Sequence, residues 1–297
     1  MNNPLVSIAM ITYNHEEFIK QAIESVLMQK TNFDFELLIS DDASTDNTAE
    51  ICREYQKKYP NIIRLIAYEK NVGMINNFIN AYNSCNGKYM AILDGDDYFI
   101  DEYKLQKQAD YLENNTQCSL VYSLAKDFFS ETGKFLNTTE EEPTDVDFVY
   151  LLHRGWYIRT ATVMVRRNVD LESWRNVVKY SYDSLLYFLC ALNGSLHKLD
   201  DFTAVYRRHT SSVTNSSISI RIQRMIWYNE LLKDIDNFSS SKYFVEIKKA
   251  IKRNNTKAFL LALRYFKTKF FYLIFSSEIT YVLKDIFQRL FRRMRSK

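Results

Sequence analysis

Three carboxylates fall within four residues in the stretch Asp94-Gly95-Asp96-Asp97, which we call the acidic motif. It follows residues 89–93, an apolar run with the length and composition of a strand buried on both faces. Carboxylates this close repel one another unless a cation or hydroxyl groups lie between them. Two interpretations are open: a divalent-metal site at the end of a strand, or an acidic turn that caps the next helix.

Strand and helix patterns alternate around the acidic motif. Hydrophobic periodicity predicts strands at residues 5–11, 35–40, 62–68, 89–93 and 118–123, and helices at 18–27, 46–58, 74–84 and 103–114. This alternation indicates an α/β fold on an open sheet with right-handed crossovers. Residues 160–165 alternate as a further strand. The polar, acidic residues 126–147 form either a solvated loop, which we favour, or a lid over a substrate.

Polar residues follow three of the predicted strands. In an open α/β sheet, ligands bind outside the carboxyl ends of the strands, near the switch in strand order. We therefore expect one shared site to be formed by Thr12-Tyr13-Asn14, Asp41-Asp42 and the acidic motif. This convergence favours a functional site over a helix cap.

The usual phosphate-binding loops are missing from the sequence. None of the six glycines stand at Gly-x-Gly spacing, which excludes a dinucleotide fingerprint and, by the same kind of argument, a P-loop. An EF-hand is excluded because Phe99 and Leu105 occupy the sixth and twelfth loop positions. Phosphates would then have to be neutralised by a metal held on carboxylates. This arrangement fits an activated donor bound as a nucleotide diphosphate with Mg²⁺ or Mn²⁺.

The order and spacing of these motifs resemble the family 2 inverting glycosyltransferases of the GT-A fold. The resemblance covers about the first 125 residues and is carried by Val6-Ser7-Ile8, Thr12-Tyr13-Asn14, residues 41–46, Asn71-Val72-Gly73 and the acidic motif. It implies a Rossmann-like mixed, mainly parallel sheet flanked by helices. It also implies transfer of a sugar from a nucleotide-diphosphate-sugar, a UDP-sugar foremost, to a glycan or lipid-linked acceptor in surface polysaccharide biosynthesis.

The resemblance also implies roles for single residues. Nucleotide-sugar contacts fall to Thr12, Tyr13 and Asp42 at the base, to Asp94 at the ribose, and to Asn14, Asn71 and Asp97. Asp96 would bind a metal, Mn²⁺ or Mg²⁺, that bridges the two phosphates. The family often has Ala-Arg-Asn after the Asn-x-Gly turn, whereas this chain has Ile75-Asn76-Asn77, so one nucleotide contact is missing.

Two later segments complete the site predicted by resemblance. The family carries an acidic pair before an apolar helix, and its second member, the catalytic base, matches Asp183, while Tyr182 replaces the first. The alternative for Asp183 is a simple helix cap. The family's Tyr-Arg-x-His ending matches residues 206–209. It implies that His209 ligates the metal or touches the diphosphate, and that Arg207 or Arg208 stabilises the leaving group. The alternative is a solvated strand edge.

The C-terminal part differs from the rest in charge and pattern. Residues 242–297 carry 15 Lys/Arg against 3 Asp/Glu, while the remaining chain carries 24 against 33. From residue 218 the pattern is helical, so we divide the chain into a catalytic domain, 1–217, and a basic helical extension, 218–297. Residues 282–293 place apolar and basic side chains on opposite helix faces. This pattern favours binding to an anionic membrane surface over packing on the domain, and no nucleic-acid module accompanies the charge.

Cellular context is predicted from what the sequence lacks. We find no signal peptide at the N-terminus and no run of 18 apolar residues. Cys52, Cys85, Cys118 and Cys190 stand far apart in apolar segments, as buried free thiols do. We therefore expect a cytoplasmic protein, peripheral on the inner face of the cell membrane.

Two other functions compete with glycosyl transfer. A sugar-nucleotide nucleotidyltransferase would need a glycine-rich N-terminal loop with a basic residue, and Thr12-Tyr13-Asn14-His15 offers neither glycine nor Arg/Lys. A non-catalytic, membrane-tethered glycan-binding protein would carry a degenerate site. The presence of Asp94, Asp96 and Asp183 speaks against it.

Overall fold

The computed structural model describes residues 3–137, 142–155, 157–179, 181–210, 218–239 and 242–269. Contacts divide the chain into two compact units, Met1–Asn215 and Ser216–Lys297, and each is described by itself.

The first half of unit one alternates strands and helices as predicted. Its elements are β1 (Val6–Thr12), α1 (Ile19–Leu27), β2 (Phe35–Asp41), α2 (Thr48–Lys58), β3 (Ile63–Ala67), α3 (Met74–Ser84) and β4 (Tyr89–Asp94). All seven residues of β1 are buried, as expected for a strand covered by helices on both faces. Helix α1 buries Ile19, Ala22, Ile23 and Val26, the spacing of one helix face.

The second half is more irregular. It contains β5 (Tyr98–Phe99), α4 (Lys104–Asn114), β6 (Cys118–Phe129), β7 (Lys134–Asn137), β8 (Asp145–Val146), α5 (Phe148–Arg154), a 3-10 turn at Thr160–Thr162, β9 (Met164–Arg166), a 3-10 turn at Glu172–Trp174, α6 (Tyr182–Asn193) and β10 (Ser195–Arg208). The four cysteines are buried and free, which confirms that prediction.

One sheet joins all the described strands. Its order is β3-β2-β1-β4-β9-β6-β10-β5, with β7 beside β6 and β8 beside β10. Strand β1 runs parallel to β2 and β4, with Thr12 opposite Asp41 and Ile11 opposite Asp94. The carboxyl ends of these three strands therefore meet at one edge. The mixed, mainly parallel sheet flanked by helices confirms the predicted fold class.

Two local predictions were wrong. Residues 160–165 do not form one strand, because Thr162 turns back to bond the Arg159 carbonyl through both its backbone N–H (2.9 Å) and its hydroxyl (2.7 Å).

Residues 126–147 are not simply a loop. β6 continues through Phe129 because it pairs along its length with β10 and folds back as a hairpin on β7. The acidic residues Glu140 and Glu141 lie outside the described residues.

The second unit contains two described helices, α7 (Ile218–Phe238) and α8 (Phe244–Lys269). Asparagine side chains join them, since Asn229 bonds both Asn254 (3.2 Å) and Asn255 (2.9 Å). Among the residues described, no helix is long and apolar enough to cross a membrane. The amphipathic segment 282–293 lies outside this range, and its membrane role stays a prediction.

Candidate active site

The turns after β1 and β2 adopt conformations that ordinary residues rarely take. Asn14 and Ala43 have φ of 55° and 60°, in the left-handed region. The turns bind each other: Asn14 accepts from the Thr45 N–H (2.8 Å) and donates its own N–H to the Ser44 hydroxyl (2.9 Å). Ser44 donates in turn to Asp41 (2.5 Å). Strained, cross-linked turns of this kind are common at functional sites.

Asp42 ties the first turn to the start of α3. Its N–H donates to the Thr12 carbonyl (3.0 Å), and its carboxylate accepts from the N–H groups of Val72 (2.6 Å) and Gly73 (3.0 Å). The Asn71 side chain donates to the Asp42 carbonyl (3.1 Å). Each carboxylate oxygen has a second lone pair, so a base contact remains a prediction. Tyr13, which follows Thr12 in the first turn, is 44% exposed.

Asp94 is held by two hydroxyl groups from distant parts of the chain. Tyr182 donates to its Oδ1 (2.8 Å) and Thr160 to its Oδ2 (3.0 Å). Burial, and then the charge of Asp96, raise the pKa of Asp94 to about 7. The Tyr182 ring stacks on Phe78 with centroids 4.0 Å apart. The sequence reasoning missed both donors, although it marked Tyr182 as a departure from the family.

Asp96 pairs with His209, and the charge of His15 also acts on it. Its Oδ2 is 3.0 Å from Nε2 of His209, and both side chains are largely buried. Burial raises the pKa of Asp96, but the His209 hydrogen bond and the charges of His15 and His209 outweigh it, so the pKa is lowered. His15 Nδ1 is 3.2 Å from Oγ1 of Thr12. His15 was not predicted as a site residue, although it directly follows the Thr-Tyr-Asn turn.

Gly95 lets the acidic motif approach β1. A Cβ there would lie 2.6 Å from the Thr12 Oγ1 and 2.8 Å from the His15 Nδ1. The Gly95 N–H donates to the Ile11 carbonyl (3.0 Å). A side chain at this position would therefore push Asp94 and Asp96 away from the end of β1.

Asp97 and Arg207 lock the end of the acidic motif. The Arg207 N–H donates to Asp97 Oδ1 (2.8 Å), and its Nε donates to the Asp96 carbonyl (2.7 Å). Oδ2 of Asp97 is buried and has no hydrogen-bond partner among the described residues. Burial and the charges of Asp96 and Asp94 raise the pKa of Asp97 well above its ordinary value. Arg207 is itself buried and also donates to Gln21 (2.7 Å), so it holds the loop.

The two remaining predicted residues, Arg208 and Asp183, bond side chains outside the acidic motif. Arg208 bonds Asp127 (2.8 Å), a residue that the sequence reasoning did not mark. Asp183 lies in the first turn of α6 and accepts from the Ser181 hydroxyl (2.5 Å) and the Ser184 N–H (2.8 Å). Ser181 also lies in the left-handed region, with φ of 69°. Asp183 directly follows Tyr182, whose hydroxyl bonds Asp94, and its charge is one of the causes that raise the pKa of Asp94.

Few side chains are placed to act as ligands of a metal ion. Within the ranges that the structure describes, no group of three or more His, Cys, Asp or Glu side chains is placed to hold a metal ion. Asp96 and His209 form the one predicted ligand pair in direct contact.

Comparison with known proteins decides the family. Residues 7–171 match the family described as Glycosyl transferase family 2. The chain belongs to this family. This family 2 chain is 33% identical, over 227 residues, to an uncharacterized protein of Mycobacterium tuberculosis; the match covers 75% of the chain and 63% of the relative. The chain thus spans less than two thirds of that relative's length.

Solved structures confirm the GT-A fold of this family 2 chain. TarS of S. aureus in complex with UDP-GlcNAc aligns with a TM-score of 0.58 at 17% identity, over 86% of this chain and 81% of that one. The mannosyltransferase PcManGT of Pyrobaculum calidifontis, in complex with GDP-Man and Mn²⁺, aligns with a TM-score of 0.57 at 16% identity, over 89% and 76%. These likenesses establish the fold.

Proposed function

We propose that the chain is a metal-dependent inverting glycosyltransferase that moves a sugar from a nucleotide-diphosphate-sugar, a UDP-sugar foremost, to a hydroxyl of a glycan or lipid-linked acceptor. The observation that supports the proposal is the position of Asp94 and Asp96 after β4, with Asp94 bonded by Tyr182, the residue next to Asp183, in a chain of glycosyl transferase family 2. The UDP-GlcNAc bound to TarS and the GDP-Man bound to PcManGT support a nucleotide-sugar donor.

The donor nucleotide would lie along the two cross-linked turns. We assign Thr12, Tyr13 and Asp42 to the base, with the exposed Tyr13 ring as a stacking surface. Asn14 and Asn71 shape this end of the site through the bonds described above. Asp94, which Thr160 and Tyr182 orient, would accept from the ribose hydroxyls.

Asp96 and His209 fit a divalent ion. The Asp96 carboxylate and the His209 imidazole, whose Oδ2 and Nε2 atoms lie 3.0 Å apart, would be the two protein ligands of the ion. Mg²⁺ commonly uses only one or two protein ligands and takes the rest from water and substrate phosphates. Oδ2 of Asp97, which is buried and has no hydrogen-bond partner among the residues described, would offer a further oxygen. Bound Mg²⁺ or Mn²⁺ would neutralise the leaving diphosphate, and Arg207 would keep the acidic motif in place.

Asp183 would be the general base. Ser181 and the Ser184 N–H fix one of its oxygens and so orient the carboxylate. It would take the proton of the acceptor hydroxyl as that oxygen attacks the anomeric carbon. Attack on the side opposite the departing diphosphate inverts that carbon.

The decisive experiment supplies UDP-sugars, Mn²⁺ and candidate glycan acceptors to the purified chain and measures released UDP. Asp183→Asn should keep UDP binding but lose transfer by about 100-fold or more, since general-base catalysis is worth roughly 10² to 10⁴. Asp96→Ala should remove both metal-dependent binding and transfer. Asp110→Asn, which removes a charge on the exposed face of α4, is the matched control. Full turnover in Asp183→Asn would assign the base to another residue.

We also propose that the enzyme works peripherally at the cytoplasmic face of the membrane, in surface polysaccharide synthesis. The charge balance of residues 242–297 supports this location. Vesicles with anionic lipid should bind the whole chain, and neutral vesicles should not. Equal binding to both would contradict an electrostatic membrane contact.

A further inference from the structure

Helix α4 buries two long polar side chains among its apolar ones. Lys104 and Gln108 are both 0% exposed, on the helix face that also buries Leu105 and Leu112. Burying an amine or an amide costs free energy unless the group finds a hydrogen-bond partner. The two side chains stand one helical turn apart and bond each other, with Lys104 Nζ donating to Gln108 Oε1 at 2.7 Å. This bond occupies the oxygen of the Gln108 amide and leaves its NH₂ group for a further partner.

That further partner is the 3-10 turn that contacts Asp94. Gln108 Nε2 donates to the Thr162 carbonyl at 2.7 Å, across 54 residues of sequence. Ser123 Oγ lies 3.5 Å from the same oxygen, at the limit of a hydrogen bond, so Gln108 is the stronger donor. Thr160, two residues earlier in the turn, donates its hydroxyl to Asp94 Oδ2 (3.0 Å). A continuous path of short contacts therefore leads from the interior of α4 to Asp94.

The backbone of the turn transmits the position of one end to the other. The Thr162 N–H donates to the Arg159 carbonyl (2.9 Å), and the Val163 N–H donates to the Thr160 carbonyl (3.1 Å). Residues closed by two such bonds move together. Thr162 is buried, so without the Gln108 amide its carbonyl would lack a strong donor, which costs free energy and favours a shifted turn. A shift of the turn would carry the Thr160 hydroxyl away from Asp94.

We propose that Gln108 is a positioning residue of the donor site, which holds the Thr160 hydroxyl in place to orient Asp94 for the ribose. This inference rests on the proposed function, in which Asp94 binds the nucleotide. Gln108 is fully buried, so it is out of reach of a bound nucleotide, and its effect must pass through the turn. Lys104 supports this role by fixing the orientation of the Gln108 amide.

A double-mutant cycle on UDP affinity tests the proposal on the whole chain. Gln108→Met, Thr160→Val and the combined variant are titrated with UDP in the presence of Mn²⁺, by calorimetry. Thr160→Val keeps the branched shape and loses the bond to a carboxylate, so UDP should bind about tenfold more weakly or worse. Gln108→Met nearly keeps the side-chain length and loses the donor, so UDP should bind about 3- to 10-fold more weakly. In the Thr160→Val background the same change should cost less than about twofold, because the group through which Gln108 acts is gone.

Two further variants control for folding and for the substitution itself. Gln106→Met makes the same change at a partly exposed position of α4 and should leave UDP affinity unchanged. Gln108→Glu places a carboxylate where it can pair with the buried Lys104, but the ionised group cannot donate to the Thr162 carbonyl. It should therefore reproduce the loss of UDP affinity seen in Gln108→Met. Thermal unfolding checks that every variant is folded.

The cycle separates the failure of this inference from the failure of the proposed function. UDP affinity within about twofold of wild type in both folded Gln108 variants, beside a weakened Thr160→Val, would refute the role of Gln108 alone. An equal loss from Gln108→Met in both backgrounds would show that Gln108 supports the fold in general and does not act through Thr160. Unchanged UDP affinity in Thr160→Val would contradict the assignment of Asp94 to the ribose, and this inference with it.

Discussion

Replacing Tyr182 by phenylalanine isolates the hydrogen bond that orients Asp94. The change removes one oxygen, 2.8 Å from Asp94 Oδ1, and keeps the ring that stacks on Phe78. A hydrogen bond to a charged group contributes about 1.5 to 3 kcal/mol. If Asp94 binds the ribose, part of this energy supports nucleotide binding. We then expect UDP to bind roughly 10- to 100-fold more weakly, at 1.4 kcal/mol per factor of ten.

Tyr187→Phe is the matched control for this experiment. Tyr187 is buried on the same helix, and its hydroxyl has no hydrogen-bond partner among the described side chains. Its removal leaves no partner unsatisfied, so UDP binding should be unchanged and stability equal or slightly higher. UDP affinity with Mn²⁺ is measured by calorimetry, and thermal unfolding checks that both variants fold.

The comparison of the two variants decides the outcome. A folded Tyr182→Phe protein that binds UDP within about twofold of wild type would refute the role of Asp94 at the nucleotide, given the energy of the lost bond. An equal loss of affinity in Tyr187→Phe would instead show a general effect of α6 packing.

Three further predictions test the site and its support. Gly95→Ala should lower both UDP binding and turnover by at least about tenfold, because the new Cβ would clash with Thr12 and His15. Gly133→Ala is the control: no atom lies within 4 Å of its new Cβ, so UDP binding should stay intact. Ala43→Gly should raise the free energy of unfolding by about 0.5 to 1 kcal/mol, since φ of 60° disfavours a side chain; a loss of stability in chemical denaturation would contradict this strain. Burial lowers the pKa of Lys104 from 10.5 to about 7. Between these two pH values Lys104 is protonated in the unfolded chain and neutral in the folded chain. The free energy of unfolding therefore rises with pH across this range. Lys104→Met should therefore reduce the rise in the free energy of unfolding between pH 6 and pH 9 by roughly 3 kcal/mol. If urea titrations give the same pH dependence of this free energy in the variant and the wild type, Lys104 stays charged in the fold.

Local patterns predicted the elements that carry the acidic motif. Helix α3 has the predicted bounds of Met74 and Ser84, because its apolar residues follow the helical period and Gly73 precedes it. The parallel register of β1, β2 and β4 follows from their continuous apolar composition, which requires cover on both faces. The sheet edge that holds the site was therefore accessible from the sequence.

The contacts within the site were not accessible in the same way. Thr160 and Tyr182 reach Asp94 across 66 and 88 residues, and Asp127 reaches Arg208 across 81. Periodicity reports which face of an element is buried, and it carries no information on which distant side chain meets a given carboxylate. The prediction of residues 126–147 as a loop failed for this reason: β6 continues through Phe129 because it pairs with β10, a strand some 80 residues further along the chain.

The departure of this chain from the family at Tyr182 has a physical explanation in the structure. An acidic residue there would add a further negative charge beside Asp94, whose pKa burial and Asp96 already raise to about 7. A tyrosine hydroxyl instead donates to Asp94 and lowers its pKa, which favours the ionised form that accepts from sugar hydroxyls. Under the proposed function, Asp183 is the carboxylate on the acceptor side, and the neighbouring Tyr182 orients Asp94 on the donor side. The start of α6 would then connect the proposed base to the residue assigned to the ribose, so a change at Tyr182 is expected to affect both UDP binding and sugar transfer.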